Sequence, residues 1–382
     1  MKVAFINPKG YLQADEWMPL GAIQLATVLT AEHEVLLVDE EHFEIEIDRV
    51  QECNVICITG MSHQASGIDR WIALANEWNK RVIVGGVHAT LNPEMIKNAF
   101  VVVGPGEKVL PNLLEGPPRQ EVIHALPIKN LNKLPFPMRK EFGWNSYSEM
   151  YDNKPAIRVL AARGCPFGCR FCCNRRLTKG RFELRNPADV AEEISVAIQN
   201  LGIGSVVFAM SVFTLSRNWT VKMCRKLKAL GVRWKATTRV DLVDRELLEV
   251  IKEGGCKALG FGVESGHNEI LKILNKGTTT NQIRETFELA KKIDLPTFAM
   301  FMTHVPGETP ETLSITKRFA EELDPPLGAT FQRFSPLPGS PFFEEIHTWG
   351  QLVKREETQG FGPMGFIPYG FISDNQSEGL SA

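Results

Sequence analysis

Residues 163–172 read Arg163-Gly164-Cys165-Pro166-Phe167-Gly168-Cys169-Arg170-Phe171-Cys172, a C-x3-C-x-aromatic-C loop. Three thiolates at this spacing can bind three irons of a [4Fe–4S] cluster and leave the fourth iron open to a small molecule. The plainer alternatives are a zinc site or ordinary core thiols. Structural zinc takes four closed ligands in two close pairs, and the chain offers no second C-x2-C pair. Cys173 must point away from its neighbour Cys172 and reads as packing or a spare thiol. Cys224 and Cys256 fall in predicted helical or helix-end segments and read as core thiols.

The loop follows an apolar run, Ile157–Ala161, that reads as a strand. Further strands are predicted at Ser205–Ala209, Trp234–Thr237, Ala258–Val263, Thr297–Met302 and Ala329–Phe334. Between them lie helical patterns at Pro187–Asn200, Trp219–Leu230, Asp244–Glu253, Asn281–Ile293 and Pro310–Leu323, with Asn186-Pro187 and Thr309-Pro310 as N-cap/N1 pairs. Six such units predict a partial (β/α)6, TIM-like barrel over 157–345. Its reactive residues belong at strand carboxyl ends, which is where the cysteine loop falls.

Upstream, residues 1–125 alternate in the same way. Strands are expected at Lys2–Ile6, Val35–Val38, Val55–Thr59, Arg81–Val84 and Phe100–Val103, with helical patterns at Leu20–Leu29 and Ile68–Trp78. This predicts an α/β, Rossmann-like doubly wound parallel sheet. Ligands in such sheets lie beyond the strand carboxyl ends. One rim therefore gathers Gly60-Met61-Ser62-His63, Gly85-Gly86-Val87-His88-Ala89-Thr90 and Gly104-Pro105-Gly106-Glu107. Glycines there admit close approach of a large ligand, although tight turns explain glycines equally well. A proline-rich linker, 126–156, joins the two domains. The extension 346–382, with Gly360-Phe361-Gly362-Pro363, reads as a lid or a packing segment.

Composition adds limits. The 382 residues carry a formal charge of −2, which gives no global attraction to nucleic acid or anionic membrane. No apolar run approaches the ~18 residues of a membrane span, and eight scattered cysteines do not make a disulfide scaffold. A cytoplasmic, oxygen-sensitive protein is expected. Around the cluster loop, Arg163, Arg170, Arg175, Arg176, Lys179, Arg181 and Arg185 are offset only by Glu183. This excess reads as a solvated face, or as attraction for a substrate bearing a carboxylate or phosphate.

The loop after a first barrel strand resembles the radical S-adenosylmethionine (SAM) superfamily. So do Arg181–Pro187, Gly260-Phe261-Gly262-Val263-Glu264-Ser265-Gly266 at the fourth strand, Val305-Pro306-Gly307-Glu308-Thr309 at the fifth and Pro336–Ser340 at the sixth. Pro19-Leu20-Gly21, the Gly85–Thr90 and Gly104–Glu107 stretches and Leu134–Pro137 resemble the cobalamin-binding-domain subgroup, many of whose members methylate unactivated carbon.

The resemblance implies a [4Fe–4S] cluster on Cys165, Cys169 and Cys172, SAM on its open iron, and cobalamin held at the first domain's rim. SAM would be cleaved reductively to a 5′-deoxyadenosyl radical, and a methyl group passed to an unactivated carbon of a small substrate, for which the basic run round the loop leaves an anion as one reading. A rearrangement, dehydrogenation or ring closure without cobalamin is the alternative. The resemblance further implies that Phe171 shields the cluster, that Glu264 and Ser265 orient SAM, and that Arg239 pairs with SAM's carboxylate. Ser62, Gly86, His88, Thr90, Gly104, Gly106 and Glu107 fall on the cobalamin rim, with His88 better explained by packing than by axial ligation. His304 occupies a position that is commonly glycine in relatives; a catalytic proton transfer and a structural hydrogen bond are both open to it. An electron donor such as flavodoxin or ferredoxin is implied as partner. Two features depart from relatives. No D-x-H-x-x-G follows the first strand, and Ala209-Met210-Ser211 replaces the acidic residues frequent at the second strand's exit.

Overall fold

A computed structural model of the chain describes residues 1–11, 17–116, 119–147, 149–353 and 365–371. The glycine-rich stretch 360–363 and the last residues lie outside them. The chain divides into two compact units, Met1–Arg158 with Glu183–Arg185 and Glu193–Ile203, and the remainder from Val159.

In the first unit, strands β1 (Lys2–Asn7), β2 (Glu34–Asp39), β3 (Val55–Thr59), β4 (Arg81–Gly85), β5 (Phe100–Val103) and β6 (Val122–His124) form one sheet in the order β2-β1-β3-β4-β5-β6. Every pairing is parallel. Helices α1 (Leu20–Leu29), α2 (Ile47–Gln51), α3 (Ala65–Glu77), α4 (Gly86–Leu91) and α5 (Leu110–Glu115) connect the strands.

Strand alternation explains why the runs are apolar throughout. Ala4, Ile6, Ile56, Ile58, Val82 and Val84 face one core with Ile68 and Trp71 of α3. Val3, Phe5, Val55, Cys57 and Ile83 face the other, with Ala22, Ala26 and Leu29 of α1. A sheet buried on both faces needs both sets, and each large side chain buried contributes ~1.5–3 kcal/mol. The strand order reverses between β1 and β3, so the ligand crevice of such a sheet opens at their carboxyl ends. Two details differ from expectation. The sheet has a sixth strand, β6, beyond the five expected, and Gly86–Leu91 is a short helix rather than a turn.

The second sheet has the order β15-β14-β13-β12-β11-β8-β7. Its strands are β7 (Met150–Tyr151), β8 (Lys154–Val159), β11 (Ser205–Phe208), β12 (Arg233–Thr238), β13 (Cys256–Glu264), β14 (Thr297–Thr303) and β15 (Ala329–Arg333). The six from β8 on are the expected partial barrel, and β11 through β15 pair in parallel. A small ladder of β9 (Ala162–Gly164) with β10 (Phe182–Leu184) precedes β11. The helices are α6 (Asn174–Thr178), α7 (Pro187–Leu201), α8 (Arg217–Leu230), α9 (Arg245–Glu253), α10 (Asn268–Ile273), α11 (Thr280–Lys292), α12 (Pro310–Leu323), α13 (Pro341–Glu344) and α14 (Ile346–Trp349).

Both expected caps form. Asn186 Oδ1 accepts from Ala188 N, and Thr309 Oγ1 from Thr312 N with Pro310 at N1. Strands β16 (Gly350–Val353) and β17 (Gly365–Pro368) pair antiparallel in the C-terminal extension. Among the described residues no helix is long and apolar enough to cross a membrane.

Candidate functional site

The β9–β10 ladder closes the base of the cysteine loop. Gly164 stands at φ 89°, and a Cβ there would lie 1.9 Å from the Arg181 carbonyl oxygen, so only glycine fits. The loop is then pinned from the side: Arg170 N donates to Leu274 O (3.0 Å), Asn275 Nδ2 to Gly168 O (2.7 Å) and Phe342 N to Arg170 O (3.0 Å). Phe171 packs with Val305, Met302 and Phe342 in an apolar cluster. Cys165, Cys169 and Cys172 are free and partly buried. Burial pushes the Cys172 thiol up to about 11 and raises that of Cys169, where the Lys276 and Arg239 charges act the other way.

Glu264 ends β13 at φ 70°, and its Oε1 accepts from Lys276 Nζ at 2.7 Å, an ion pair almost shut from water. Its Oε2 takes no hydrogen bond among the described residues. Ser265 is fully buried with its Oγ 3.1 Å from Thr316 Oγ1 of α12 and accepting from His267 N, so its hydroxyl is committed within the fold. Arg239, expected to be open for a carboxylate of SAM, is forked onto Asp241 (2.8 and 2.9 Å) with Nη1 3.7 Å from Cys169 Sγ. Lys276, Asp241 and Asn275 escaped the sequence reading. The Asn-Lys pair after α10 was the available signal for two of them.

His304 follows β14 at φ 56°. Its backbone N–H donates to the Glu308 carboxylate, its ring lies 4.5 Å from that of Phe371, and its Nδ1 is buried with no hydrogen-bond partner among the described residues. Burial, with the nearby charges of Arg333 and Lys317, pushes the imidazole down to about 4, so it is neutral at pH 7. Burial pushes the wholly buried Glu308 up to about 7. None of these contacts involves the cysteine loop. A neutral, weakly basic imidazole suits hydrogen bonding better than proton abstraction. Of the basic residues near the loop, Arg185 is buried against Glu193 and so lies off any solvated face, whereas Arg170 pairs with Glu345 in an ion pair open to water. Arg175, Arg176, Lys179 and Arg181 are exposed.

On the first unit's rim, His88 Nδ1 lies 3.3 Å from Ser62 Oγ and 3.4 Å from Asn92 Nδ2, and burial keeps the imidazole neutral. Thr90 Oγ1 donates to Gly86 O and accepts from Gly104 N, tying the β4 and β5 exits together. Gly86 has φ 90°, and a Cβ there would lie 2.6 Å from Thr59 Oγ1. Glu107 is buried, and Gly106 packs close to Leu25. A network missed in the sequence sits at the β1 and β2 ends: Asp39 accepts from Asn7 Nδ2 (2.8 Å) and Tyr147 OH (2.8 Å), with His42 Nδ1 2.7 Å away.

Two family models match the chain: Radical SAM superfamily over residues 159–320 and B12 binding domain over 14–114. The chain carries a B12 binding domain followed by a radical SAM domain. An uncharacterized methyltransferase of Pyrococcus horikoshii is 27% identical, over 85% of this chain and 78% of its own length. An anaerobic magnesium-protoporphyrin IX monomethyl ester cyclase of Rubrivivax gelatinosus is 28% identical, over 91% and 70%. Among solved structures, the radical SAM methyltransferase TsrM of Kitasatospora setae shares the fold at a TM-score of 0.78 and 17% identity, over 98% of this chain and 85% of that one.

The cofactors of this radical SAM protein are therefore a [4Fe–4S] cluster, SAM and cobalamin, and its residues suit them. The three thiols are free on one loop, with two cations beside Cys169. Among the described residues no group of three His, Cys, Asp or Glu side chains is placed to hold a single metal ion; in a [4Fe–4S] cluster each thiolate binds its own iron. On the B12 rim, Gly86 and Gly104 leave no room for a side chain because Thr59, Gly60 and Ala125 crowd its place; this keeps the β4 and β5 exits short beside the Ser62–His88 pair, and short exits of this kind suit a broad ring lying across them.

Proposed function

We propose that this protein is a cobalamin-dependent methyltransferase that alkylates an unactivated carbon of a small, anionic substrate. The observation carrying this reading is the joint presence, in one chain, of the three-cysteine radical SAM loop and a B12 binding domain. A relative named as a methyltransferase supports it. When bound, the cofactors supply reductive cleavage of SAM, the resulting hydrogen-abstracting radical and a transferable methyl group.

The chain's own residues bind, orient and shield. Cys165, Cys169 and Cys172 would hold the cluster, and Phe171 would keep water from it within the apolar cluster it shares with Val305 and Met302. Glu264, its Oε1 fixed by Lys276, would turn Oε2 toward the ammonium of SAM. Ser62, His88, Thr90 and the rim glycines would support the corrinoid. His304, its ring neutral at pH 7, would give a hydrogen bond to bound substrate rather than take a proton. A low-potential donor of the flavodoxin or ferredoxin kind would deliver electrons, and the protein would work in the cytoplasm.

The anionic substrate is supported by Arg175, Arg176, Lys179 and Arg181, which form no ion pair among the described residues. Charge reversal at Arg175 and Arg176 is expected to raise KM and to abolish its dependence on salt, since exposed charges act within a Debye length of about 8–10 Å. Unchanged kinetics would remove the anionic reading.

The deciding experiment incubates anaerobically reconstituted protein with SAM, hydroxocobalamin and a reductant, and measures 5′-deoxyadenosine and S-adenosylhomocysteine. Both are expected, with corrinoid absorbance that stays with the protein. 5′-Deoxyadenosine alone would favour the second reading, ring formation without methyl transfer, which the cyclase relative supports.

A further inference from the structure

Arg239 leaves β12 with a side chain only 5% exposed. Nε and Nη2 bind the two oxygens of Asp241 at 2.8 and 2.9 Å, and Nη2 donates its other hydrogen to Lys276 O. The guanidinium carbon lies 3.9 Å from the centroid of the Phe167 ring. The fork and the stacking fix the guanidinium plane and leave Nη1 as the uncommitted nitrogen, 3.7 Å from Cys169 Sγ. A two-pronged grip on any other carboxylate needs a hydrogen of Nη2, and both are taken, one by Asp241 and the other by Lys276 O.

Hydrogen bonds and charge at a cluster's sulfurs are among the levers that set its potential. We propose that Arg239 is a positioning residue for the cluster: Nη1 donates to the Cys169 thiolate and holds the cluster's reduction potential up, and the carboxylate of SAM is not its partner. An N–H aimed at the thiolate stabilises the reduced cluster, which carries one more negative charge, over the oxidised one. Asp241 offsets most of the net charge of Arg239, so the aim of the N–H matters beyond the presence of a cation. Cys169 also has Lys276 nearby, but that ammonium is engaged by Glu264.

The proposal rests on the cluster assignment, and its test separates the two. Wild type, Arg239→Met and Arg239→Lys are reconstituted anaerobically, assayed for iron and sulfide, and titrated with reductant while the reduced cluster is followed by electron paramagnetic resonance, without SAM. SAM affinity is measured separately by equilibrium dialysis. Arg239→Met is expected to hold a full cluster at a more negative midpoint, Arg239→Lys to fall between, and SAM affinity to stay unchanged in both. An unmoved midpoint with weakened SAM binding would assign Arg239 to SAM and overturn the proposal. Should Arg239→Met not fold, the Lys variant decides: it keeps the charge but not the fork, and a wild-type midpoint in it overturns the aimed hydrogen bond. A wild type that takes up no iron overturns the cluster assignment itself, and iron content identifies that failure.

Discussion

The residues of the candidate site carry local costs that can be measured. His304 holds φ 56°, a left-handed conformation that costs an L-residue about 1–2 kcal/mol. His304→Gly is therefore expected to match or exceed wild type in thermal stability while retaining 5′-deoxyadenosine formation, and to lose methylated product if the imidazole contacts substrate. Full product yield from that variant would end the role for His304. Beside it, Glu308 has the opposite problem: its carboxyl is pushed up from 4.5 to about 7 by burial. The fold's preference for protonated Glu308 is fully present below pH 4.5 and lost as pH rises through about 7. Each unit of such a shift is worth about 1.4 kcal/mol. His304, pushed down to about 4, has the reverse sign, its contribution being present above 6.5 and lost as pH falls through about 4. Glu308→Gln keeps an acceptor for the His304 amide and removes the ionisation. Urea midpoints of this variant should decline less than those of wild type across the window from 4.5 to 7; parallel curves would show that Glu308 does not titrate there.

At the scale of elements, the β9–β10 ladder is the part on which the cysteines depend. Gly164→Ala drives a Cβ into the Arg181 carbonyl and strains φ 89°. A loss of about 1–3 kcal/mol is expected for strain of this kind, along with reduced iron uptake on reconstitution; normal iron content would show that the loop closes without the ladder. The ladder itself was not legible in the sequence. Strands of three residues have too short a pattern for period-two alternation to show. The β7–β8 hairpin was hidden for a related reason: its turn, Asp152-Asn153, takes φ 51° and 58° inside a stretch that reads only as a proline-rich connector. The long apolar strands and the capped helices were legible because burial on both faces and N-capping leave marks in residue type. The cysteines were legible because cluster ligation demands one chemistry at one spacing. Lys276 and Asp241 were not, because a buried charge selects its partner in space. Glu264 and Lys276 are twelve positions apart and adopt their pairing only when β13 and the segment after α10 are in place.

Across the whole molecule, the two units share the chain in alternating pieces. Arg139 and Arg185, both buried, meet the same buried carboxylate, Glu193 in α7, with Arg139 Nη2 at 2.7 Å. Removing one partner of such a set strands charge in the interior at about 3–5 kcal/mol. Glu193→Ala is expected to lower the urea midpoint accordingly, and a shift no larger than for an exposed glutamate would mean that water reaches the guanidiniums. Glu193 also bears on how this architecture can be inherited. Arg139 comes before the cysteine loop in the chain, whereas Arg185 and Glu193 come after it, yet all three fall within the first unit. A fragment ending at Arg158 would carry the corrinoid rim and Arg139 but leave behind the carboxylate that neutralises it. Recombination that exchanges the front domain as one contiguous cassette therefore leaves a buried guanidinium without its counterion. The corrinoid half and the cysteine loop would then be expected to travel together through gene duplication and transfer.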